Sequence, residues 1–377
     1  MPDHTSLTDD DLLLRGVAVV YRLFDIGYAI ELERVSQLLA RDLPARARPE
    51  RIEAQALQIA NPPVTIHLGA REIDVDGTSC SGNLSVRLFD FGVVSLQLEV
   101  SGGDVMSWSA FTHFARKLHA SRELESLFTR ELDALRERIA PAVERAGVAS
   151  VREEYIVFRI STLRSRDGHT LDPRTALTNQ RLAPLLLGEP RALAPAALGE
   201  LLHHRFSYYA DDLVVVTWEN ALVLEPSTND RDVEYILEFA NAQLLELRVY
   251  DALLDAEVPV MYDRIEQARA RGHPLPTRRY QRVLAQVQTQ VADVTETVER
   301  AENALKVTDD VYLARVYAAA LELFRASAWR RGIERKLEIF RSTYTMLNAE
   351  SHAARAELLE VAIVVLIVAE LILALVR

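Results

Sequence analysis

LSVRLFDFGVVSLQLEV, residues 84–100, decides how this chain is read. Two runs rich in Val, Leu and Phe flank Gly92, and the pattern predicts two strands joined at a turn containing that glycine. Working outward, VAVVYRLFDIG (17–27) predicts a strand and LERVSQLLA (32–40) a helix, while a long helix is expected from about residue 107 to 146. The same order then recurs. EEYIVFRIS (153–161) predicts a strand, the Pro-punctuated residues 174–206 mostly helix, and LVVVTWENALVL (213–224) a hairpin turning at Glu219 and Asn220, with a helix from Val233 after it. The expected fold class is therefore α+β: tandem β-α-β-β-α units, pseudo-duplicated and joined in one sheet, followed by an α-helical bundle or coiled coil and one C-terminal transmembrane helix. Residues 41–61, RDLPARARPERIEAQALQIAN, read as an exposed, Arg-rich connection.

With 377 residues, 49% hydrophobic and 26% charged, the chain can build two or three domains, each with its own core. The expected division is a flexible N-terminus (1–15), a pseudo-duplicated α+β domain (16–228), a helical bundle (229–350) and an anchor (351–377). A net charge of -12 argues against nucleic-acid binding through the overall field, though local basic patches are compatible with it. The single cysteine excludes an intramolecular disulfide framework and a cysteine-based zinc cluster. The start, MPDHTSLTDDDLLLRG, reads as neither a secretory signal nor a transit peptide.

Beyond residue 229 the pattern turns helical. Val233, Leu237, Ala240, Leu244, Leu247 and Leu254 mark one helix, and Pro274 and Pro276 a turn. Tyr280, Leu284, Val287, Val291, Val294, Val298, Ala301 and Leu305 then step by four and three, a heptad seam that predicts a coiled coil. Ile333, Leu337, Phe340, Tyr344 and Leu347 resume it. Such seams establish architecture and leave the task open.

The chain ends in LLEVAIVVLIVAELILALVR, residues 358–377. Residues 358–376 span about 28 Å as a helix, close to the ~30 Å of bilayer hydrocarbon. The reading is a single-pass anchor with the N-terminal body in the cytoplasm, formed by Leu358, Leu359, Glu360, Val361, Ile363, Leu366, Ile367, Glu370, Leu371, Leu373 and Val376. A helix buried in a soluble oligomer is the alternative. Glu370 would be protonated, snorkelling or hydrogen-bonded to a neighbouring helix; the last would make the segment self-associating.

Chemical motifs are sparse. His113 and His119 are six apart, and the adjacent His203 and His204 would diverge on a helix, so no metal-ligand spacing occurs. Phosphate-binding glycine loops and a serine nucleophile elbow are absent, so no cofactor and no catalytic residue is expected. Cys80, in DGTSCSGN (76–83), reads as part of a turn-like loop. Asp90, Asp211 and Asp212 flank strand ends and are either paired carboxylates or, more ordinarily, solvated hairpin acids. Arg330, Arg331, Arg335, Lys336 and Arg341 outnumber Glu334 and Glu338 along one helix. Contact with RNA, a ribosome or anionic lipid is the functional reading; a salt-bridged bundle surface is the plain one.

The order of YRLFDIGYAIELERVSQLL (21–39), VRLFDFGVVSLQLEV (86–100), YYADDLVVVTWENALVLEP (208–226), YLARVYAAALELFRASAWRRGIERKLEIFRSTYTMLNAE (312–350) and ELLEVAIVVLIVAELIL (357–373) resembles the family called required for meiotic nuclear division, whose domain was catalogued as of unknown function. The likeness covers nearly the whole chain after Gly16. It is most specific at Leu359, Glu360 and Glu370, while Val361 stands where the family often has Trp. The resemblance implies a membrane-attached, oligomeric, non-catalytic protein that supports translation. Two function classes follow: a tail-anchored scaffold that self-associates and recruits a partner, or an enzyme or small-ligand sensor using a cleft between the α+β halves near Asp211 and Asp212. A cleft filled by apolar side chains would favour the first, and an open pocket with convergent polar groups the second.

Overall fold

The computed structural model describes residues 7–40, 50–51, 61–75, 77–147, 149–188, 191, 193–227, 230–270, 285, 288–289, 292 and 310–375. The chain divides into two compact units, one formed by Met1–Glu246 with Ala304–Ala326 and the other by Leu247–Asn303 with Ser327–Arg377.

The first unit is mixed α+β. Its strands, in chain order, are β1 (Leu12–Asp25), β2 (Ala29–Ile30), β3 (Glu50–Arg51), β4 (Val64–Val75), β5 (Thr78–Leu88), β6 (Val93–Ser101), β7 (Met106–Ser107), β8 (Val143–Glu144), β9 (Arg152–Ser165), β10 (Arg205–Phe206), β11 (Leu213–Val216) and β12 (Asn220–Leu224). A large, mostly antiparallel sheet runs in the order β10-β11-β12-β9-β1-β6-β5-β4-β3, with β7 against β1, while β2 and β8 pair separately. The helices are α1 (Leu32–Ala40), α2 (Trp108–His119), α3 (Arg122–Ile139), α4 (Pro173–Ala176), α5 (Asn179–Leu186), α6 (Pro195–Leu201), α7 (Asp232–Ala270), α8 (Val311–Leu323) and α9 (Ala326–Leu375).

Strand alternation sends Val20, Val86, Leu96, Leu98, Phe158 and Leu222 to one face, where they form the main core with Val35, Trp108, Phe111, Phe128 and Leu182 of the helices. The opposite face carries Val19, Tyr21, Arg87, Gln97, Glu99 and Tyr155, and the start of α7 with α8 covers part of it. Phe89 lies 6.0 Å from Phe239, and Tyr155 lies 5.9 Å from Phe324.

The expected tandem arrangement needs two corrections in this unit. First, the β4 residues VTIHLGAREIDV pair along β5, giving the first half a strand that the expectation lacked. Val64 and Ile66 are buried before a bulge at Gly69 and Ile73 and Val75 after it, so the alternation breaks mid-strand and its periodicity is weak. The halves also differ in direction: β6 runs antiparallel to β1, whereas β12 runs parallel to β9. The two halves therefore share a spatial order, mirrored about the β1/β9 junction, but not a strand direction. Second, the long helix expected over 107–146 is two, because the chain leaves α2 at Ala120 and restarts from the N-cap Ser121.

In the second unit, Leu254 and Met261 of α7 and Ile333, Leu337, Phe340 and Thr343 of α9 are buried. The steps of three and four between them make the stripe that a packed helix needs. The heptad seam of Tyr280, Leu284, Val287, Val291, Val294, Val298, Ala301 and Leu305 lies outside the described residues, as do the side chains of Tyr344, Leu347 and Leu358, together with Val376.

The membrane-anchor expectation is corrected as well. Among the described residues, no helix is long and apolar enough to cross a membrane. The aliphatic stretch of α9 contains two carboxylates, Glu360 and Glu370, and a carboxylate within hydrocarbon is costly. The single-pass topology, and the localisation inferred from it, fall with that expectation. What remains is a row of exposed apolar side chains: Leu359, Val361, Ile363, Leu366, Ile367, Leu371 and Leu373.

Candidate functional site

The polar face of the first unit's sheet is built by register. Thr65 stands opposite Arg87, and Arg87 opposite Ser95. In the next row His67, Ser85, Gln97, Tyr21 and Tyr155 follow one another across five strands, and Asn83, Glu99 and Val19 make the row after that. Side chains two apart on a strand share a face, so Ser95, Gln97 and Glu99 alternate with the core residues Val94, Leu96 and Leu98. That alternation was visible in the sequence, yet Arg87 and Arg159 were not singled out there.

Over these rows lies the first turn and a half of α7. Glu234 and Glu238, four apart and 4% and 2% exposed, point down onto the strands. Arg87 bonds Glu238 through Nη1 and donates from Nε to Thr65 Oγ1 at 3.1 Å, while its guanidinium lies 4.5 Å from the Tyr235 ring centre. Gln97 Nε2 donates to the other Glu238 oxygen at 2.5 Å. Arg159 donates to Glu99 at 2.8 Å and faces Glu234 at 3.4 Å, and Arg231 lies 3.2 Å from Glu99. Burial pushes the Glu234 and Glu238 carboxyls up, against the pull of Arg159 and Arg87 respectively. It raises the Tyr21 hydroxyl well above its usual range too. Above this floor opens a cleft of about 850 Å³, walled by Asn83, Ser85, Arg87, Gln97, Glu99 and Arg231 among others.

A smaller cavity of about 200 Å³ adjoins it at Asp230–Glu234 and is lined by Tyr208, Tyr209, Asp212, Glu225 and Tyr312. The anticipated acids fall here unequally. Asp212 is buried and its carboxylate accepts from Tyr208 N, Tyr209 N and the Ser207 hydroxyl, so it caps a turn. Asp211 is exposed. Asp90 accepts from Asn61 Nδ2 at 3.1 Å, far from either cavity in register.

Other expectations are relocated. Cys80 lies within β5, not in a loop, and burial followed by the charges of Asp74 and Glu72 raises its thiol, the opposite of what a nucleophile needs. His203 and His204 follow the end of α6, and their ring centres lie 3.7 Å apart, the planes tilted by 42°, instead of diverging. Among the described residues no group of His, Cys, Asp and Glu could hold a metal ion. In the second unit Lys336 is spent on Asp251 at 2.7 Å and Asp255 at 2.6 Å. Arg331 and Arg335 are exposed on α9 alongside Glu334 and Glu338, Arg330 is half-buried, and Arg341 has a partner of its own, so the basic stretch is a mixed-sign face.

The family described as "Uncharacterized protein MJ0711, N-terminal domain" matches residues 15–231. The chain belongs to that family. The MJ0711-type region begins within β1, runs through the rest of the sheet and stops at Arg231, so it contains Arg87, Gln97, Glu99 and Arg159, while Glu234 and Glu238 follow immediately after it. One relative, "Uncharacterized protein MJ0711" of Methanocaldococcus jannaschii, is 25% identical over 225 residues, which is 60% of this chain and 66% of the relative. No solved structure matches. The match reaches the MJ0711 family and does not extend to the name required for meiotic nuclear division.

Proposed function

We propose that this protein binds a small polar ligand in the cleft over Arg87, Gln97 and Glu99 and acts as a sensor or adaptor, not through bond-making chemistry. One observation carries the reading: the cleft is open and holds about 850 Å³, while its floor holds buried and half-buried charges, Arg87 with Glu238 and Arg159 with Glu99, already paired with one another. Fixed, paired groups present donors and acceptors to a ligand without reorganising. Glu99, which lines the cleft, is held by Arg159 and Arg231, an arrangement that fixes an acceptor in place and does not free a base. The test is a thermal-shift screen of the full chain with amino acids, nucleotides and sugar phosphates, repeated on Asn83→Trp, which fills the cleft from an exposed wall position. A ligand that raises the native melting temperature and has no effect on Asn83→Trp supports the reading. A panel that leaves the native protein unmoved, or a hit that the Trp does not block, overturns it.

A second reading is favoured by the exposed aliphatic row of α9. Contiguous apolar surface of this kind marks an interaction site, and the resemblance to the required-for-meiotic-nuclear-division family points towards an oligomeric adaptor. Self-association through α9 predicts a disulfide-linked dimer for Leu366→Cys in a Cys80→Ser background, and none for a cysteine placed at the exposed Glu334.

A further inference from the structure

The smaller cavity has a composition that neither the family match nor the cleft accounts for. Three tyrosine rings wall it: Tyr208 and Tyr209 stand 4.9 Å apart edge to face, and Tyr208 and Tyr312 are 5.4 Å apart. Tyr208 and Tyr209 are 64% and 61% exposed, large rings left to water at the rim of a concavity. The Tyr312 hydroxyl is buried and has no hydrogen-bond partner among the described residues, which a native structure seldom leaves unmet without a ligand or water to satisfy it.

Charge points the same way. Glu225, Asp230 and Asp232 lie on the wall, and none of the three forms an ion pair among the described residues. Each has one oxygen engaged locally or none: Glu225 accepts from Ser227 N at 2.8 Å and Asp230 from Asp232 N at 3.1 Å. The cation on the same wall, Arg231, is drawn off to Glu99. Burial first, and the neighbouring negative charge of Asp230 after it, hold the Glu225 and Asp232 carboxyls above the usual range. A cation entering this cavity would relieve that crowding.

We propose that the cavity binds the guanidinium or primary ammonium head of a small organic cation. Aromatic faces attract such heads, and carboxylates supply the counter-charge and paired acceptors that a planar guanidinium matches. A bare metal ion would need three or more clustered ligands, an arrangement missing among the described residues. A cavity of about 150 Å³ holds benzene, so about 200 Å³ suits a head group on a short stem. The proposal stands independently of the wider cleft's ligand.

The experiment is calorimetric titration of the full chain with n-butylguanidinium, n-butylamine and the neutral isostere n-butylurea. Saturable binding of a cation, at least about tenfold tighter than the urea, is expected, with a further loss of about tenfold in Tyr208→Leu and in Asp232→Asn. Tyr208 is exposed, so its variant should melt as the native protein does, and that melt is the folding control. Equal binding of the urea, no saturable cation binding, or undiminished binding by a folded Tyr208→Leu overturns the proposal. A capped Gly-Arg-Gly peptide separates the sources of the same chemistry: tighter binding than butylguanidinium assigns the site to an arginine on a polypeptide, and weaker binding assigns it to a free amine or guanidine.

Discussion

At the residue scale, Asp25 is the side chain most at odds with its surroundings. It ends β1 at 8% exposure, and among the described residues its carboxylate accepts one hydrogen bond, from Gly27 N at 3.2 Å. Burial raises its pKa to about 7, with that hydrogen bond pulling the other way. A carboxyl whose pKa is raised on folding binds its proton more tightly in the folded state, so stability falls as pH rises from about 4 to 7 and stays reduced above. Asp25→Asn keeps the acceptor and removes the buried charge. It should raise the melting temperature at pH 8 by several degrees and leave it nearly unchanged at pH 4, with about 4 kcal/mol as the ceiling on the gain; equal melting curves at pH 8 would show that water reaches the carboxyl. Its place was half legible in the sequence. RLFDIG (22–27) and RLFDFG (87–92) repeat, and the two glycines meet: a Cβ on Gly92, at φ +94°, would lie 1.8 Å from the Gly27 carbonyl. No sequence pattern announces that contact, because it joins turns 65 positions apart.

At the element scale the same repeat is used in two registers. Arg22 stands opposite Leu96 of β6, but Arg87 stands opposite Ser95, and a one-residue offset flips the face. Arg22 consequently lies under the helices, 5.6 Å from the Phe128 ring, while Arg87 meets Glu238 of α7. Local pattern gave the strands their existence, and register, which depends on the partner strand, decided what each arginine touches. That is why the polar face could not be assembled from sequence, although the alternation of Ser95, Gln97 and Glu99 lay open in it. The Arg87–Glu238 pair is buried on both sides, 10% and 1% exposed at the side chains. Removing one partner leaves an uncompensated buried charge, so Arg87→Met or Glu238→Leu alone should cost about 3–5 kcal/mol in denaturant unfolding, and the double substitution markedly less than their sum. Additive losses would mean that the two groups do not depend on each other.

At the scale of the whole molecule, the family boundary and the physical boundary disagree. The MJ0711-type match ends at Arg231, but the first compact unit also takes in the start of α7 and returns for Ala304–Ala326. The sheet explains the difference. Its core face is covered by α1 to α6, all within the match, whereas its other face holds Tyr155, Val157, Val214 and Val223, which are buried only once later residues arrive. Phe239 reaches Phe89, Phe91 and Tyr317, and Phe324 reaches Tyr155 and Trp218. A sheet with one face stripped exposes far more contiguous apolar surface than a monomer tolerates. A chain truncated after Arg231 should therefore bind a hydrophobic dye and unfold without a cooperative transition, while one truncated after Ala326 should melt cooperatively. The polar cleft loses one wall with α7, so the shorter chain should also fail to bind any ligand found for the longer one. A cooperative melt from the shorter chain would instead mean that the sheet and its six helices stabilise themselves, and that α7 and α8 serve the cleft alone.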